Sequence, residues 1–127
     1  MLDNVNGDIA LMSRAAGSIN FQINAHAIEA EVVAASTGDF RINRSGANDM
    51  QFYRNGSKVS DEVGNSDGVP SFDIYICAQN DNGTDTEHSP RQISKFDMGA
   101  SLDATEAGND AAAFEVYMDS NGKGVIP

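Results

Sequence analysis

Asn55-Gly56 restricts the fold of this chain more than any other pair of residues. It lies within Met-Gln-Phe-Tyr-Arg-Asn-Gly-Ser-Lys-Val-Ser (50–60), between two alternating runs. An Asn-Gly pair in that setting is the strongest short-range signal for a β-hairpin. A two-residue type I′ turn needs positive φ at both central positions, which Asn tolerates and Gly adopts freely. Such a turn sets Arg54 opposite Ser57, Tyr53 opposite Lys58 and Phe52 opposite Val59. Met50, Phe52 and Val59 then share the core face, because register decides which side of a strand is buried. Tyr53, Arg54 and Lys58 fall on the solvent side or at the tip, as the hairpin's candidate contact residues.

Alternation continues on both sides of the hairpin. Residues 8–13 read as a short strand, with little signal in the rest of 1–16. Ile19, Phe21 and Ile23 alternate with polar residues over 18–23, and 28–34 reads as a third strand. Phe40 and Ile42 point one way and Arg41 and Asn43 the other, with Ser45-Gly46-Ala47-Asn48 as a turn. Residues 61–70 form a polar loop. Phe72, Ile74, Ile76 and Ala78 then share a face of a strand over 71–78. Ile93, Phe96 and Met98 mark another over 91–98, with a bulge near Ser94-Lys95 where the alternation breaks. Between these two, 79–90 is the most polar stretch and reads as an exposed loop.

The period changes at Leu102. Asp103 and Glu106 stand at capping-box spacing, and Ala107, Ala111, Phe114 and Met118 fall on one helical face. Asn121-Gly122 supplies the stop, so the spacing predicts one helix over 104–120, with Gly108 weakening its first turns. The whole reads as a single antiparallel β domain spanning 1–127, closed by a C-terminal helix.

Composition narrows the function. The 127 residues are 40% hydrophobic and 21% charged, as expected of a globular chain. The net charge is −11, which argues against a nucleic-acid partner, since a phosphate backbone calls for a basic surface. The charge is uneven: 1–60 carries five basic and six acidic residues, 61–127 three basic and thirteen acidic. The lone Cys77 sits in an apolar run and reads as an inert buried thiol, with no disulfide framework around it. No apolar run is long enough to insert in a membrane. The start Met1-Leu2-Asp3-Asn4 lacks the basic character of a signal peptide, so synthesis in the cytoplasm is expected.

Chemistry-bearing patterns are sparse. Glu29 and Glu31 lie two apart, on one face of a strand, but lack the third carboxylate of a glycan-cleaving strand. His26 and His88 lie in polar turns, without a nucleophile elbow or a metal-binding histidine pair. No enzyme activity is expected. The loop at 79–88 is rich in oxygen ligands of the kind calcium takes, yet its spacing excludes an EF-hand. Polar loops greatly outnumber ion sites, so no cofactor is expected. The same loop offers Asn80, Asp81 and Asn82 as candidate contacts to sugar hydroxyls, with Tyr53 or Tyr75 to stack, although the absence of Trp weighs against a glycan platform.

Four segments together resemble a known family. Phe-Tyr-Arg-Asn-Gly-Ser-Lys-Val (52–59) is similar to the hairpin of concanavalin A-like, laminin-G-like jelly-roll domains. Phe-Asp-Ile-Tyr-Ile-Cys-Ala-Gln-Asn (72–80), Arg-Gln-Ile-Ser-Lys-Phe-Asp-Met-Gly (91–99) and Leu-Asp-Ala-Thr-Glu-Ala (102–107) follow in that family's order. The resemblance spans about residues 40–122, and its variant is the one found at the C-terminus of bacteriophage and bacterial surface proteins. It implies a jelly-roll-like β-sandwich, on a virion surface or outside the cell, with a structural role or glycan binding. Such sandwiches use about a dozen strands, and this chain supplies six or seven. An unfinished sandwich implies association with further copies or with other virion proteins.

Overall fold

A computed structural model describes residues 8–13, 17–25, 29–33, 35, 37–69, 71, 73–81, 83–86 and 88–124. The chain is mostly antiparallel strand with one C-terminal helix. Strands β1 (Asp8–Ser13), β2 (Gly17–Ala25) and β3 (Glu29–Val33) form one sheet in the order β1-β2-β3. Strands β4 (Phe40–Gly46), β5 (Asp49–Arg54) and β6 (Ser57–Glu62) form a second, β4-β5-β6. A short hairpin, β7 (Gln79–Asp81) and β8 (Thr84–Thr86), precedes helix α1 (Ala104–Ser120).

The two sheets meet through their central strands. Ile19 and Phe21 of β2 and Met50 and Phe52 of β5 are fully buried against one another. The Phe21 and Phe52 rings stack at 5.0 Å between centroids, and Phe40 stacks on the other side of Phe52 at 6.4 Å. Ile23, Phe40 and Ile42 complete this apolar layer. The alternating residues read from the sequence therefore supply the sandwich-like core.

The hairpin forms as its turn residues dictate: Asn55 and Gly56 adopt φ of 51° and 75°. Arg54 pairs with Ser57 and Tyr53 with Lys58, but Phe52 pairs with Ser60. Val59 is the extra residue of a β-bulge and is 44% exposed, so it leaves the core face that strict alternation assigned to it. Tyr53 moves the other way: expected at the solvent side, it is only 2% exposed. The cause is the layer above it, because the chain entering α1 packs on the outer face of β4-β5-β6.

A second bulge, between Asn43 and Gly46, places both Arg44 and Ser45 opposite Met50. Arg44 reaches across the end of the core, donating from Nε to the Ile23 carbonyl at 2.8 Å. Its Nη1 donates to the carbonyls of Ala47 (3.0 Å) and Gly64 (2.6 Å). Ser66 N–H bonds to the Ala47 carbonyl and Asp67 N–H to the Asn24 carbonyl. What the composition gives as a plain polar loop thus ties both sheets together.

Helix α1 has the bounds its caps predict. Asp103 accepts from the Glu106 N–H at 2.8 Å, and the Glu106 carboxylate accepts from the Asp103 N–H at 2.8 Å. Gly122, at φ 65°, and the bond from Lys123 N–H to the Met118 carbonyl close the other end. Ala107 and Ala111 are the buried residues of the helix. They lie over the hairpin turn, where a Cβ on Gly56 would come within 3.0 Å of Gly108 Cα and Ala111 Cβ. A Cβ on Gly108 would meet only the Gly56 carbonyl oxygen at 3.6 Å, an ordinary contact. Gly108→Ala should therefore stabilise the protein by up to about 1 kcal/mol, through helix propensity and a less flexible unfolded chain. Thermal denaturation checks this, and a lowered Tm would contradict the packing described.

Two expected strands do not form. The described residues of 71–78 and of 91–98 lie outside any ladder until Gln79. Alternation assigns faces to a strand, but only a partner edge makes it one. Among the described residues neither segment pairs with a strand of either sheet, and Cys77 adopts a left-handed φ of 64° that interrupts extension. The bulge expected at Ser94-Lys95 has no ladder in which to occur. Cys77 is half-buried rather than enclosed. The loop expected over 79–90 contains the β7-β8 hairpin. His26, Phe72, Asn82 and residues 1–7 lie outside the described residues.

Candidate functional site

The outer face of β4-β5-β6 carries the polar residues that alternate with the core: Arg41, Asn43, Gln51 and Tyr53. Helix α1 and the segment before it lie against this face. Asn43 fixes the approach, donating from Nδ2 to the Leu102 carbonyl at 2.8 Å and accepting from Leu102 N–H at 3.3 Å. The same Nδ2 donates to Gln51 Oε1 (3.1 Å), which also accepts from the Tyr53 hydroxyl (3.0 Å). Pairing of this kind is what lets polar side chains be buried at modest cost.

Beside this network a cleft of about 410 Å³ opens, bounded by β5, β6 and the start of α1. Tyr53, Lys58, Ser101 and Glu106 line it. Lys58 is held by Asp61 at 2.5 Å, and that hydrogen bond raises its pKa. Tyr53, Gln51, Glu106 and Lys58 are each committed to a neighbour.

A charged cluster lies farther along the same face. Asp110 of α1 accepts hydrogen bonds from Arg41 of β4 and from Lys95 (2.6 Å), and Lys95 also reaches Asp97 at 2.9 Å. The Lys95 ammonium sits 5.3 Å from the centre of the Phe114 ring. Hydrogen bonds from Lys95 and then Arg41 hold the Asp110 carboxyl below its ordinary pKa. Burial pushes the Asp39 carboxyl the other way, against the lowering effect of Arg41. The cluster clamps helix to sheet.

The acid response follows from these two signs. The Asp110 contribution is complete above about pH 4 and is lost as pH falls through its lower folded pKa. Ionised Asp39 instead costs stability, and this cost fades as pH falls through its raised folded value. Asp110→Asn should cost about 1 kcal/mol at neutral pH, because the outer side of the carboxylate is exposed and screened. It should also flatten the fall in stability below pH 4. Denaturant titrations of both proteins at pH 7 and pH 3 check this, and an unchanged difference between them at the two pH values would contradict it.

The six candidate contact residues are dispersed. Tyr53 and Lys58 border the cleft. Arg54 lies instead at the strand end, 5.7 Å from the Phe40 ring centre, with Nη2 3.4 Å from the Thr37 carbonyl. Asn80 is occupied by its own turn and by the segment before it: its Oδ1 accepts from Gly83 N–H at 2.6 Å and its Nδ2 donates to the Asp73 carbonyl at 2.6 Å. Asp81 pairs with Thr84 in the ladder. Asn82 lies outside the described residues. Among the described residues no three His, Cys, Asp or Glu side chains converge as a metal site would need, and no helix is long and apolar enough to cross a membrane.

Residues outside that set prove more prominent. Ile74, Ile76, Ile93, Phe96 and Met98 are all exposed, Phe96 by 52% and Met98 by 62%. The signal for them was present in the alternation, which marked these side chains for burial. No known protein family, curated protein or solved structure matches the chain.

Proposed function

We propose that this chain is a non-catalytic assembly module, a structural component of a virus particle such as a phage fibre, decoration or tail protein. The supporting observation is the set Ile74, Ile76, Ile93, Phe96 and Met98, laid out by the sequence pattern for burial yet open to solvent in the single chain. Exposed apolar surface of this kind marks interaction sites. On this reading the β-sandwich is jelly-roll-like and reaches its full complement of covered faces only in the assembled particle. The particle setting rests on the resemblance of residues 40–122 to bacteriophage surface modules.

Glycan binding has less support. The Tyr53 ring is buried and so offers no stacking surface, and Asn80 spends its side chain on its own turn and the segment before it.

The test is the solution mass, measured by light scattering over a hundredfold range of concentration. A mass that rises to a defined oligomer supports the assembly reading. A folded species that stays monomeric throughout overturns it.

A further inference from the structure

We infer that helix α1, with its lead-in at Leu102, is a strap that opens as a unit while the two sheets stay folded, and that acid releases it. The helix contact and the sheet contact differ in kind. The sheets meet through Ile19, Phe21, Met50 and Phe52, all large and fully buried. Of the 17 residues of α1, only Ala107 and Ala111 are buried, each through a single methyl group. Apolar stabilisation scales with the area buried, so the helix contact is the weaker of the two. Polar bonds supply the rest of its hold: Asn43 to Leu102, and Arg41 and Lys95 to Asp110. A helix of 17 residues carrying Gly108 is marginal on its own, so it melts once undocked. Opening uncovers the outer face of β4-β5-β6 at Asn43, Gln51 and Tyr53. It needs no second chain, so it stands or falls apart from the assembly reading.

Acid acts through one carboxylate. Around Asp110 stand Arg41 on β4, Asp39 just before that strand, and Lys95 and Asp97 on the segment leading to α1. Of these three carboxylates, Asp110 alone belongs to the helix. When it is protonated, Lys95 keeps Asp97 at 2.9 Å and Arg41 keeps it at 4.0 Å. Both cations stay paired, and the helix loses its share. Hydrogen bonds from Lys95 and Arg41 hold the Asp110 carboxyl below its ordinary pKa, so the strap is held above about pH 4 and loosens as pH falls through that lower value. Asp39, pushed up by burial, protonates earlier on the way down, which removes a repulsion from Asp110 and opens nothing.

Native-state amide exchange of the dilute protein, with two variants, tests both statements. In the wild type at pH 7, amides of 108–118 should be at least about tenfold less protected than those of Asn20–Gln22 in β2. Ile19→Val, a mild change within the sheet contact, should lower the protection of β2 about fivefold and leave that of α1 unchanged, because the strap opens with that contact intact. Asp110→Asn should lower the protection of α1 about fivefold at pH 7 and remove most of the loss that the wild type shows between pH 7 and pH 3. Equal protection of α1 and β2, falling together in Ile19→Val, would mean one cooperative unit and overturn the inference. A separate opening with the same loss between pH 7 and pH 3 in Asp110→Asn as in the wild type overturns the acid release.

Discussion

Phe52→Ala should remove a large part of the protein's stability. The ring of Phe52 lies between Phe21 and Phe40 and is fully buried where the two sheets meet. Removing a buried phenylalanine typically costs about 3–5 kcal/mol, the lost transfer energy together with the cavity left behind. A domain of this size has roughly 5–15 kcal/mol in total. Among the described residues Phe52 is one of the four in the fully buried cluster where the sheets meet, so its loss falls on the centre of that contact. The expected fall in Tm exceeds about 10 °C, at the few degrees per kcal/mol usual for such chains. A Phe52→Ala protein that melts within about 3 °C of wild type would show that the sheets are held together by something else.

Arg44→Met should cost about 2–4 kcal/mol, nearly as much as a core deletion, although it removes no carboxylate pairing. The guanidinium binds carbonyls from three separate segments: Ile23 in the first sheet, Ala47 in the turn between β4 and β5, and Gly64 in the following loop. Methionine can fill the space beside Met50 but offers none of the donors. Arg44→Lys should recover only part of the loss, because a single ammonium cannot span three acceptors as a planar fork does. Urea denaturation of the two variants checks both statements. Equal stability of wild type and Arg44→Met would contradict the bridging role.

Much of this architecture is legible from local chemistry. Asn55-Gly56 predicts its turn, Asp103 and Glu106 their capping box, and Ile19, Phe21, Met50 and Phe52 their burial, because each signal is satisfied by residues close by or by alternation itself. What escapes is set by distant packing. Val59 leaves the core because a bulge shifts register by one residue after Tyr53, and nothing in the alternation marks that residue. Tyr53 is buried because Leu102, about fifty residues later, brings the helix over that face by way of Asn43. Arg44 looks like an ordinary charged residue until its three acceptors assemble. Residues 71–78 and 91–98 carry the pattern of strands without an edge to join. The candidate site was less legible still: Tyr53 and Lys58 do border one cleft, whereas Arg54, Asn80 and Asp81 serve the hairpins that hold them.

The assembly reading requires Gln92–Met98 to lack a partner strand in the single chain, and amide hydrogen exchange in dilute solution, below any association, measures that directly. Amides of Gln51–Tyr53 should exchange slowly, close to the limit of global unfolding, whereas those of Gln92–Met98 should exchange within about tenfold of an unfolded chain. Protection of Gln92–Met98 equal to that of β5 in the dilute monomer would mean that they already have a partner strand, and would contradict the account.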